Sequence, residues 1–332
     1  TGTIDAANNN TGVGVDIFAA LTSGDDNTVL GKGAGAALTT GQRNVFVGIE
    51  SGATMTTGSE NCYVGRLAGK LATSGYSTGV GTEALYNNTG NHNTAVGIQA
   101  LLANTSGTRN VAVGSNALDA MTTGYNSTAV GHAALTANTT ANSNTAIGAF
   151  SMENNTTGAA NTAVGEGALL NNTTGSSNVA IGYTALFDYT GSNTVAVGYA
   201  SLANATGGNN TGLGHQTGEN ITSGTYNTCV GSNAGNTMTS PTYNTLVGYN
   251  AGQGSYPLTT GSSCTMVGAL ARPSGTLGNA NGENVFGFNM SASGANTTTL
   301  GSGGSGLYAS HGSTSWTAIS DERYKKDIVD SE

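Results

Sequence analysis

A glycine preceded by an aliphatic residue recurs at Gly14, Gly31, Gly48, Gly65, Gly81, Gly97, Gly114, Gly131, Gly148, Gly165, Gly182, Gly198, Gly214, Gly231 and Gly248, at intervals of 16 or 17 residues. Weaker continuations stand at Gly268, Gly287 and Gly301. A period this short cannot hold a pair of helices, which need thirty or more residues per unit. Each unit also carries several Gly and β-branched residues, and both weaken helices. The pattern therefore predicts an all-β fold, a parallel β-solenoid or β-roll with one coil per 16–17 residues.

Within a unit, N-T-A-V-G reads as a short strand with its Val packed inside. The following x-x-A-L, as in Ala100-Leu101 and Ala117-Leu118, reads as a second short strand or extended edge, and TTG turns the corner. Asn stands four residues before most of the glycines, as at Asn27, Asn44, Asn61, Asn93, Asn110 and Asn144. A turn Asn at a fixed place predicts a ladder of amides bonded from coil to coil. Units near both ends use A-G where central units use A-L, so the packing residue moves along the corner. Strands stacked about 4.8 Å apart predict a rod of roughly 85 Å for eighteen rungs. One coil offers few aliphatics, so the expected assembly is a homotrimer in which three chains share a core.

Composition narrows the function. Only 8% of residues are charged and the net charge is -9, so no basic stripe exists for nucleic acid. Gly is abundant, at 53 residues, but never recurs every third position, which excludes collagen. No apolar run approaches membrane-spanning length, so no membrane insertion is expected. TGTIDAANNN carries no secretion-signal pattern and reads as the start of a fragment or a processed chain. Cys62, Cys229 and Cys264 are too far apart for a metal knuckle and read as buried free thiols. His92, His132, His215 and His311 are scattered, and Asp119, Glu153, Glu166 and Asp188 are out of register, so neither cofactor nor metal nor paired-carboxylate chemistry is expected.

The N-T-A-V-G-x-x-A-L units, over residues 8–250, resemble the β-roll repeats of trimeric bacterial adhesin heads and, more closely, the fibre regions of bacteriophage tail and neck appendages. Ser320-Asp321-Glu322-Arg323-Tyr324-Lys325-Lys326-Asp327-Ile328 resembles the opening of the intramolecular chaperone domain at the C-terminus of phage fibres and endosialidases, Ser-Asp-x-Arg-x-Lys-x-x-Ile. That resemblance implies a trimer-forming downstream domain that cuts itself away between Ser320 and Asp321. Ser320 would be the nucleophile and Lys325 its helper.

Three regions are expected: a repeat shaft over 1–251, an irregular distal or capping region over 252–319, and the start of the chaperone at 320–332. The distal region carries Tyr256, Phe288, Tyr308, His311 and Trp316, which suit a receptor surface and equally suit a solenoid cap. The implied function is a non-enzymatic phage tail-fibre protein of the virion. It would bind a host-surface glycan or protein, with other tail proteins upstream. The alternative is a trimeric adhesin head on a bacterial cell surface. A weaker one is an ice-binding solenoid built on the Thr ranks at Thr94, Thr145 and Thr162 and at Thr123 and Thr157.

Overall fold

The computed structural model describes residues 7–253, 258–274 and 280–319 of the 332-residue chain. Ser320, Lys325 and Tyr256 lie outside the described residues. The chain divides into two compact units, Thr1–Ser177 and Asn178–Glu332.

The first unit is a stack of three-residue strands: β1 (Thr11–Val13), β2 (Thr28–Leu30), β3 (Val45–Val47), β4 (Cys62–Val64), β5 (Thr78–Val80), β6 (Thr94–Val96), β7 (Val111–Val113), β8 (Thr128–Val130), β9 (Thr145–Ile147) and β10 (Thr162–Val164). Each pairs in parallel with the next, and equivalent residues face one another, as in Ala95↔Ala112 and Val96↔Val113. The second unit repeats this with β11 (Val179–Ile181), β12 (Val195–Val197), β13 (Thr211–Leu213), β14 (Thr228–Val230), β15 (Thr245–Val247), β16 (Thr265–Val267), β17 (Asn284–Phe286) and β18 (Thr297–Ser302). There β18 turns back through an antiparallel pairing with β19 (Ser305–Ser310), which pairs antiparallel with β20 (Thr317–Ile319). The parallel β-solenoid with coils of about 17 residues is thus the fold of both units.

Two expectations about the coil are corrected. The residue packed inside is the strand centre, not the Val before the glycine: Ala95, Ala112 and Ala129 are buried, whereas Val96 is 38% exposed. Strand side chains alternate between faces, so a three-residue strand with its centre inside must turn both ends outward. Nor is x-x-A-L a strand. Leu101, Leu118 and Leu135 have φ of 51, 52 and 54°, in the left-handed region, and form a corner.

Each coil makes two further left-handed bends, for example at Gln99 and Arg109. Among the described non-glycine residues with positive φ there is no Val or Ile, and Thr occurs only at Thr184. A branched Cβ clashes with the backbone in that region. The repeat glycine answers a second constraint. At Gly114, φ is 136° and an added Cβ would lie 2.3 Å from the carbonyl oxygen of Gly131 in the next coil.

The interior is filled by residues at the strand centre and at the third, fourth and seventh places after the glycine; the third is small in most coils, and the sizes of the others compensate. Where the strand centre is Ala95, Ala112 or Ala180, the fourth place holds Leu101, Leu118 or Leu186, all fully buried. Where it is Phe46 or Tyr63, the fourth place is Gly52 or Gly69, and a Cβ there would meet the ring at 2.8 or 2.4 Å. In the second unit Leu246 faces Gly252 in the same way. The change from A-L to A-G units is this exchange of volume across a core of fixed width.

The Asn ladder is present. In the first unit the backbone N–H of Asn110 donates to Asn93 Oδ1 (3.0 Å), and that of Ser127 donates to Asn110 Oδ1 (2.9 Å). Asn110 Nδ2 donates to the Gly124 carbonyl (2.8 Å). In the second unit Asn227 N–H donates to Asn210 Oδ1 (2.9 Å) and Cys264 N–H to Asn244 Oδ1 (2.9 Å). Ser77, Ser127 and Thr194 replace the amide in single coils and remain buried. A buried column of turns thus keeps its backbone donors satisfied without water.

Candidate interaction surfaces

The outward ends of the strands form two parallel rows. The row before the glycine is apolar throughout. In the first unit it includes Val13 (66% exposed), Leu30 (49%) and Ile147 (42%), and in the second Leu213 (48%), Phe286 (39%) and Leu300 (39%). The register Phe286↔Leu300 and Leu300↔Leu307 carries the second unit's row across the hairpin to Leu307. The other row is mostly Thr, interrupted by Val45, Cys62, Val111, Val179, Val195 and Asn284. The two rows follow from the repeat: strand ends on successive coils lie one rung apart, and the sequence fills one end of every rung with an apolar residue.

Side chains also stack in columns at the bends. In the column just before the ladder Asn, Arg43 pairs with Glu60 (2.8 Å), the Tyr76 ring stacks on His92 (centroids 5.1 Å apart), and Tyr226 stacks on Tyr243 (5.2 Å). In the column just after the glycine, Tyr183 stacks on Tyr199 (5.5 Å) and Tyr199 on His215 (5.1 Å). At the TTG corner a third column is internal bonding. Thr105 Oγ1 donates to the Thr122 carbonyl (2.9 Å) and Thr122 Oγ1 to the Thr139 carbonyl (3.0 Å). These hydroxyls are spent within the fold.

The described distal aromatics do not form one cluster. Trp316 is 51% exposed, just ahead of β20, and half-buried Tyr308 pairs in register with Thr317, the residue after it. Phe288 is 58% exposed, and its carbonyl accepts from Gly303 N–H (3.0 Å) at the hairpin turn. His311 sits at the opposite end of the hairpin, where its backbone N–H donates to the Asn296 carbonyl (2.8 Å). Its Nε2 lies 3.3 Å from Asn284 Nδ2 and from Thr298 Oγ1.

A shallow depression of about 330 Å³ in the first unit is lined by Leu67, Glu83, Tyr86, Asn87 and Leu102. Both carboxylate oxygens of Glu83 are already engaged, by Arg66 (3.0 Å) and by Gln99 Nε2 (3.0 Å). On the same flank the Lys70 ammonium bonded to Glu50 (2.8 Å) draws that carboxyl below its ordinary value. Burial raises Asp119, against backbone N–H groups that lower it. Burial also pushes the Cys229 thiol up to about 12 and the Cys264 thiol up to about 11. Cys62, expected inside, is only half-buried because it starts a strand. No group of three or more His, Cys, Asp or Glu that could hold a metal ion occurs among the described residues. No helix among them is long and apolar enough to cross a membrane.

No family model, no curated protein and no solved structure matches the chain.

Proposed function

We propose that this chain is the shaft and distal part of a homotrimeric attachment fibre, a phage tail fibre in preference to a bacterial adhesin head. The observation that carries the reading is the unbroken apolar row before the glycine, exposed or half-buried, and never fully buried, on every rung of each unit. Large contiguous apolar surfaces on a folded protein mark places where other molecules bind. A row that repeats with the strand spacing is complementary to a second copy set in the same register. The chaperone-like motif at Ser320–Ile328 supports the phage reading. By that resemblance a full-length precursor cuts between Ser320 and Asp321, with Lys325 assisting the hydroxyl.

The native mass tests the assembly. We expect a particle of three chains, disulfide cross-linking between copies in Val113→Cys, and dissociation in Leu213→Glu. A stable monomer that keeps its full β signal rejects it. Antibody raised against the chain should decorate virion tails, and decoration of bacterial cells instead would favour the adhesin. In the full-length precursor Ser320→Ala should leave one uncut product. A wild-type product with no new terminus at Asp321 would remove the proteolysis and leave the fibre.

A further inference from the structure

In the second unit the column just after the repeat glycine reads Tyr183, Tyr199, His215, Ser232, Tyr249, Ala269, Phe288, a ladder of rings with rungs missing at Ser232 and Ala269. The backbone runs through this column without a break. Asn233 N–H donates to the His215 carbonyl (2.9 Å), Asn250 N–H to the Ser232 carbonyl (3.0 Å) and Leu270 N–H to the Tyr249 carbonyl (2.8 Å). The first three rings stack nearly parallel, at interplanar angles of 13 and 11°. Ser232 has no ring to continue the stack. The next ring, Tyr249, belongs to the coil after it and is 54% exposed.

We propose that the gap above Ser232, walled by His215 and Tyr249, binds one neutral hexopyranose ring of a surface glycan. The proposal rests on the attachment reading and names its ligand class. Two rungs span ~9.6 Å, so a ring at the middle lies ~4.8 Å from each wall. That lies within the 4.5–7 Å over which ring faces pack favourably. A flat six-membered ring therefore continues the ladder, whereas a larger group does not enter.

The chemistry around the gap is neutral and rich in hydrogen-bonding groups. The Ser232 hydroxyl belongs to its floor. The adjacent column carries the amides of Gln216, Asn233 and Asn250. Hydroxyls around a pyranose rim match such groups. Arg272 is the only Lys or Arg between residues 178 and 319, so an acidic sugar finds little charge here, and a nucleotide would bring its phosphates to a chain of net charge -9.

Saturation-transfer NMR on the full chain tests this, with the methyl glycosides of glucose, galactose and mannose, with sialic acid, and with N-acetyltyrosinamide as probes. At least one methyl glycoside should show saturable transfer. Ser232→Tyr supplies the rung missing there with the residue found at Tyr199 and should weaken that binding at least tenfold. Tyr249→Ala should weaken it similarly. Tyr243→Ala, in a different column, should not change it. Transfer to none of the glycosides, equal transfer in Ser232→Tyr, or binding of N-acetyltyrosinamide or sialic acid alone would each overturn the proposal. Native mass is read on the same samples, so a trimer that binds no glycoside rejects the gap as a site and leaves the fibre standing.

Discussion

The Phe46 ring occupies the space above Gly52 that a leucine fills in the A-L coils. A Cβ on Gly52 would lie 2.8 Å from three carbons of that ring, and the ring itself stacks on Tyr63 at 5.6 Å. Gly52 has φ of 58°, close to the 51° of Leu101, so its backbone already suits leucine. Phe46→Ala alone should cost about 3–5 kcal/mol through the cavity it leaves. Gly52→Leu alone should cost about 1–3 kcal/mol through overpacking. The double variant recreates an Ala/Leu coil and should recover most of the loss. Denaturant unfolding of all four proteins gives the coupling energy, and additive losses would show that the two sites do not share one volume.

Gly114 meets two prohibitions at once, its φ of 136° and the 2.3 Å approach of a Cβ to the Gly131 carbonyl. Gly114→Ala should destabilise by about 3 kcal/mol or more, because both the bend and the inter-coil spacing must give. Ala117→Gly, three residues along the same coil, should cost far less. Thermal melts of the two variants are the comparison.

Asn110 accepts one backbone N–H and donates to one carbonyl, both in the following coil. Asn110→Ala leaves those buried groups unpartnered and should cost about 2–3 kcal/mol. Asn110→Ser should cost less, since Ser77 and Ser127 already hold equivalent places. Hydrogen exchange should show the Ser127 amide losing protection first in the Ala variant.

Cys229 gives a pH dependence with a defined sign. Burial raises its thiol from 9.0 to about 12, so the folded protein stays protonated where the unfolded chain ionises. Stability contributed by the neutral thiol is full below about pH 9 and falls as pH rises from there towards about 12, by about 1.4 kcal/mol per pH unit at most. Cys229→Ala should flatten that alkaline slope. In the native protein half-buried Cys62 should react with a maleimide well before Cys229 or Cys264.

The solenoid was legible because the period was. The glycine register, the ladder Asn and the turn Thr each recur at one spacing, and only stacked coils bring all three into columns. The packing polarity of N-T-A-V-G was not legible. Val96 is the more hydrophobic residue and Ala95 the smaller, so hydrophobicity alone places Val inside. The interior instead takes Ala95 because Leu101 already fills the width of the coil, a fact that belongs to two residues far from each other around the bend. The A-L corner misled for a related reason. Leu101 is no obvious left-handed residue, and only its anchorage in the core holds that conformation.

The columns at the bends were hidden for a different reason. Tyr183, Tyr199, His215 and Tyr249 are separated by 16, 16 and 34 residues, and each alone is an ordinary surface ring. Their register against the glycine was present in the letters. Their contact depended on coil spacing, ring orientation and the backbone bonds between coils. The sequence by itself determined the period, the parallel stacking and the amide ladder, because these follow from local turn chemistry repeated at one interval. The tertiary structure decided which aliphatics face solvent, how large and small residues exchange across the core, and where the ring ladder is broken. Those outcomes depend on filling a core of fixed width, and no single unit of the repeat contains that constraint.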